Sequence, residues 1–117
     1  MQTLDDASMK FGLRPSDILE IISILTQFPE IDEARIFGSR AKNSYREGSD
    51  VDIALIGCNV SFDVVSRVHA LLEDESKMPY LFDIVDYTHL NHKELRTHIE
   101  RVGVVFYQKK KSDGLPS

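Results

Sequence analysis

Apolar residues recur at helical spacing between Ser16 and Phe28, where Ile18, Ile21, Ile22, Leu25 and Phe28 fall on one stripe. That period predicts an amphipathic helix. Pro15 suits its first position and Pro29 blocks its continuation. Ala34-Arg-Ile-Phe-Gly38 then reads as a short strand running into Gly-Ser. Val51-Asp-Ile-Ala-Leu-Ile56 reads as a second strand, with Val51, Ile53 and Leu55 on one face and Asp52, Ala54 and Ile56 on the other. From Ser61 to about Asp74 the spacing turns helical again, with Ser61 as N-cap and Val64, Val65, Val68, Leu71 and Leu72 as the buried stripe. Tyr80 to Asp86 predicts a third strand. Asn91 opens a last helix through about Arg101, with Glu94 completing a capping box and Gly103 as the stop. Val104 to Tyr107 closes the chain's order as a short strand.

The succession α-β-β-α-β-α-β predicts an α/β (α+β) domain, a small mixed sheet with helices packed on one face. At 117 residues the chain fits one domain, assigned to residues 1–108. The Lys-rich end, 109–117, reads as a disordered tail. No apolar run approaches the roughly 20 residues that span a bilayer, and the acidic N-terminus lacks a signal-peptide layout, so no membrane partner is expected. A single cysteine, Cys58, cannot form an internal disulfide and points to a reducing cytoplasm.

The formal net charge of −5 argues against nucleic acid as the main partner. Between Arg35 and Arg46, however, the chain carries Arg35, Arg40, Lys42 and Arg46 with no acidic residue among them. Such a stretch suits a small polyanion such as a triphosphate, or equally a solvated loop.

The carboxylates sharpen the choice. Asp50 and Asp52 stand two apart at the head of a strand, so their side chains leave one face about 6.6 Å apart. Two bare carboxylates leading into an apolar run repel each other and resist burial. A divalent cation is the economical compensation, since Mg²⁺ favours carboxylate oxygens. Alone, an Asp-x-Asp is as readily a turn cap beside a solvated acid. Asp83 shifts the balance, because it interrupts the apolar Leu81-Phe-Asp-Ile-Val85, where an unpaired charge is costly. If the two strands are neighbours, Asp83 joins the same cluster. Asp86, on the opposite pleat, reads as a capping or solvated residue. Gly38 lets a phosphate approach the backbone, and Ser39 offers a hydroxyl and an amide to its oxygens or caps a helix.

Gly38-Ser39, ten intervening residues and Asp50-Val-Asp52 resemble the Gly-Ser-x10-Asp-x-Asp signature of the DNA polymerase β-like nucleotidyltransferase superfamily. The fuller string from Phe37 to Ala54 is similar to its small prokaryotic branch, the minimal nucleotidyltransferases (MNT), whose antitoxin members are MntA-like. The resemblance runs from the Phe37 strand through Asp83 and, more loosely, to Tyr107. It implies the palm fold of polymerase β, with Asp50, Asp52 and Asp83 as catalytic and metal-binding acids for two Mg²⁺ ions. It also implies that Gly38 and Ser39 hold the phosphates of ATP; Arg40 is added to the nucleotide site as a plausible phosphate contact. No counterpart of the second, helical domain of larger relatives is expected within these residues. In this branch a separate helical protein of the HEPN class, often a toxin, commonly fills that gap. The implied function is therefore an antitoxin that transfers AMP to a partner hydroxyl. Two rivals stay open: a non-catalytic nucleotide-binding module that neutralises the partner by occlusion, and transfer to RNA or a small molecule. Assembly into homo- or hetero-oligomers is also open. His69, His89, His92 and His98 form no metal-ligand pattern, and Cys58 reads as a small buried thiol.

Overall fold

The computed structural model describes residues 11–42 and 50–109. Helix α1 (Pro15–Leu25) is followed by strand β1 (Glu33–Phe37), a single helical turn α2 (Gly38–Ala41), and strand β2 (Val51–Ile56). Helix α3 (Phe62–Ala70) widens into a π-turn at Leu71–Glu75, and β3 (Phe82–Asp86), α4 (Lys93–Val102) and β4 (Val104–Gln108) complete the order. The predicted alternation stands, with the turn α2 added.

Element ends follow from local chemistry. Pro15 occupies the start of α1, and the Asp17 carboxylate reaches back to the Arg14 amide at 3.2 Å. The helix stops at Leu25, short of Phe28. The Gln27 and Phe28 amides donate to the Ile24 and Leu25 carbonyls in tightened turns, because a residue before proline is pushed out of the helical region. Ser61 caps α3 as expected, its hydroxyl accepting the Val64 amide at 3.3 Å. The cap of α4 is His92, whose Nδ1 accepts the Leu95 amide at 3.1 Å; Asn91 lies one residue too early. The tail assignment begins one residue too soon as well, since the Lys109 amide still donates to the Asp32 carbonyl at 2.8 Å; 110–117 lie outside the described residues.

The sheet runs β3-β2-β1-β4, with β1 antiparallel to β2 and β4, and β2 parallel to β3. One face carries the main core. Ala34, Ile36, Val51, Ile53, Leu55 and Phe82 pack there with Ile21, Ile24 and Leu25 of α1 and with Val64 and Val68 of α3. In addition to these helices, α4 packs on part of the opposite face. Ile99, fully buried, joins Phe37 and Ala54, flanked by Val85, Leu95 and Val102. Among the described residues no helix is long and apolar enough to cross a membrane.

Candidate functional site

The face shared by Phe37, Ala54 and α4 also carries the acids. Phe37 pairs with Asp52 across the antiparallel ladder, and Asp52 pairs with Asp83 across the parallel one. Directly paired residues point to the same side of a sheet. Asp83, Asp52 and Phe37 thus form one row at the end of the sheet where β1 finishes and β2 and β3 begin. α4 covers the Phe37 side of that row through Ile99.

 Asp83 is exposed and Asp52 is half-buried. From sequence the cost of burial falls on Asp83; in the structure it falls on Asp52, because β3 is an edge strand and the Asp83 carboxylate reaches solvent.

The turn after β1 explains why Asp52 is crowded. Gly38 has φ +75°, and a Cβ there would stand 2.1 Å from Asp52 Oδ2. A side chain at this position is therefore excluded twice, by conformation and by space. Burial raises the Asp52 pKa to about 6, with the charges of Asp83 and then Asp50 adding to the effect and that of Arg40 opposing it. Asp50, exposed just before β2, is thus close enough to act on Asp52. Among the described residues, no Lys, Arg or His forms an ion pair with Asp50, Asp52 or Asp83. Nor do three His, Cys, Asp or Glu side chains among them stand as a ready-made metal-binding group.

The basic stretch divides. Arg35 is taken up by Glu33 at 2.7 Å. The Arg40 guanidinium is buried and turned toward the start of the chain, where Nη1 donates to the Phe11 carbonyl at 3.0 Å. Lys42 is exposed, and Arg46 lies outside the described residues. Asp86 has the capping role expected of it, accepting the His89 amide at 3.2 Å and facing His89 Nδ1 at 2.8 Å. Cys58 is exposed, against expectation, because it sits in the turn after β2 and not in the strand.

Two residues next to the site gave little signal in the sequence. Asp17 is buried and accepts the Tyr80 hydroxyl at 2.8 Å. Tyr80 is thereby drawn out of β3, which starts at Phe82 and not at Tyr80. Glu73, carried by the π-turn, accepts the Phe82 amide at 2.7 Å and so fixes where β3 begins. Its spacing from His69, with which it pairs at 3.1 Å, was the available hint.

The family described as polymerase beta nucleotidyltransferase matches residues 20–112. No curated protein matches the chain in sequence. Among solved structures, a toxin–antitoxin crystal structure with AMP-PNP is similar at TM-score 0.65 and 18% identity, covering 86% of this chain and 78% of that one. The crystal structure of the toxin–antitoxin MntA-HepT gives TM-score 0.63 and 18% identity, covering 86% and 77%. The tri-AMPylated Shewanella oneidensis HEPN toxin in complex with MNT antitoxin also gives TM-score 0.63 at 18% identity, covering 85% and 76%. At such identities the likeness is one of fold. With the family match spanning most of its length, and with the Gly-Ser turn seated against the acid row, this chain belongs to the polymerase beta nucleotidyltransferase family.

Proposed function

We propose that the chain transfers AMP from ATP to a hydroxyl of a helical HEPN-type partner, as the antitoxin of a toxin–antitoxin pair. The observation that carries this is the pairing of Asp52 with Asp83 on one face, beside Gly38 and within the field of Asp50. The neighbours that hold AMP-PNP or an AMPylated HEPN toxin support the choice of nucleotide and acceptor.

The donor set fits a divalent cation. Asp50, Asp52 and Asp83 are all carboxylates, the half-buried one is pushed up to about 6 by burial and then by its acidic neighbours, and no cationic side chain pairs with them among the described residues. Mg²⁺ is ordinarily held by one or two carboxylates together with substrate phosphates, so an open set suffices. When bound, such ions neutralise the triphosphate and lower the pKa of the acceptor hydroxyl. Gly38 lets the turn close directly on Asp52, and the hydroxyl and amide of the next residue, Ser39, are the groups that would meet phosphate oxygens. Arg40 adds positive charge from behind the turn. Asp83, at the solvent side, is placed to take the proton as the acceptor oxygen bonds to the α-phosphorus and pyrophosphate leaves. The partner's own surface completes the acceptor side.

Co-expression of a HEPN-type partner with the wild type or with Asp50→Asn tests the reading. Transfer predicts a partner heavier by one or more AMP groups, and restored growth, with the wild type alone. Full protection by Asp50→Asn with no change in partner mass means occlusion and defeats it.

A further inference from the structure

The Gly38–Ser39 turn belongs to a helix of a single turn, Gly38–Ala41, too short to hold itself in place. Its third residue, Arg40, is 3% exposed. The guanidinium donates to the carbonyls of Phe11 at 3.0 Å and Gly12 at 3.4 Å, and its carbon lies 5.2 Å from the centroid of the Tyr80 ring. Phe11 and Gly12 both have positive φ, 59° and 72°. For phenylalanine that is an unfavourable conformation, kept only where surroundings impose it. Here it turns two successive carbonyls onto one buried cation.

The chain of contacts continues. Tyr80 donates its hydroxyl to Asp17 Oδ2 at 2.8 Å. Asp17, 3% exposed, is held by Arg14 through its amide, Nε and Nη2, each at 3.2 Å. Tyr80 stands three residues before Asp83 and packs edge-on against Phe82, ring centroids 6.4 Å apart. One cluster thus joins the turn bearing Ser39, the segment before α1 and the lead into the Asp83 strand. We propose that Arg40 and Tyr80 are positioning residues for nucleotidyl transfer, holding the Gly38–Ser39 turn against Asp52 through this cluster and without touching the nucleotide. The inference rests on the proposed function and adds to it. Displacing a binding group by about 1 Å is enough to cost much of its effect, and the turn already stands as close to Asp52 as a glycine allows.

Tyr80→Phe removes one oxygen and leaves the ring, so the fold should survive; thermal melts check that. Calorimetry with Mg·ATP should then show affinity about threefold to tenfold weaker, a fraction of what one hydrogen bond to a carboxylate is worth, because the loss reaches the nucleotide only through the turn. Arg40→Lys keeps the charge but loses the planar fork and flat face. It should weaken Mg·ATP as well, and adding Tyr80→Phe to it should cost less than the two separate effects multiplied. In ¹H–¹⁵N spectra of Tyr80→Phe the Ser39 amide should shift while that of Ile99 stays. Arg67→Ala, on the exposed side of α3, should bind as the wild type does. Wild-type affinity in either Tyr80→Phe or Arg40→Lys overturns the inference and leaves the proposed function standing. A wild-type protein that binds no Mg·ATP overturns both.

Discussion

Replacing Asp52 by asparagine should stabilise the metal-free protein while abolishing its activity. In the folded chain the Asp52 pKa rises from 3.8 to about 6, so the folded state binds that proton more tightly than the unfolded chain does. The stability this confers is full below about pH 4 and is lost as pH rises through about 6. A shift of about 2 units corresponds to about 3 kcal/mol at neutral pH as a ceiling. Because solvent reaches the carboxylate, screening reduces this to about 1–2 kcal/mol. Asparagine keeps the shape and carries no charge, so it escapes the penalty. A gain of that size raises the melting temperature by roughly 4–16 °C for a domain of about this length. Urea or thermal unfolding of both proteins in EDTA, from about pH 4 to pH 7, measures the difference directly. The variant should be more stable at pH 7, and its advantage should shrink toward zero at pH 4. The remaining carboxylates titrate in both proteins and largely subtract out. A difference that does not change with pH, or a variant less stable at pH 7, would refute the reasoning.

Other outcomes follow from the same geometry. Gly38→Ala puts a Cβ on the Asp52 carboxylate at positive φ and should cost about 1–3 kcal/mol in unfolding experiments, with nucleotide binding lost. ATP affinity by calorimetry should rise at least roughly tenfold on replacing EDTA with Mg²⁺, and Asp83→Asn should blunt that rise; tight binding in EDTA would count against the carboxylate site. Ser61→Ala removes the cap of α3 and should cost about 1 kcal/mol, with activity unchanged.

Much of this is legible in the sequence. Period-2 and period-3.6 patterns marked each long element, and the alternation in Val51–Ile56 put Asp52 on the face opposite Val51, Ile53 and Leu55, where it lies. The acids stand out through the cost of charge in apolar strands, and the resemblance of Gly38-Ser39 through Asp50-Val-Asp52 to the family signature implies their role. What stayed hidden depends on packing between distant segments. Leu95, Ile99 and Val102 form an apolar stripe on α4, of which Ile99 is buried, but a stripe does not say which face of the sheet it covers. Arg40 looked like a phosphate contact because its partners, the carbonyls of Phe11 and Gly12, carry no side-chain signature. Tyr80 read as strand because its tie to Asp17 spans 63 residues. The exposure of Asp83 follows from β3 standing at the sheet edge, which strand order alone decides.

The central claim is transfer of the α-phosphoryl group of ATP by the acid row. Incubating the purified protein and a HEPN-type partner with Mg²⁺ and ATP labelled at either the α- or the γ-phosphate tests it most directly. The account predicts label on the partner from α-labelled ATP and none from γ-labelled ATP, with the signal lost in Asp52→Asn. Label from the γ-position, or equal α-labelling by Asp52→Asn, would contradict it.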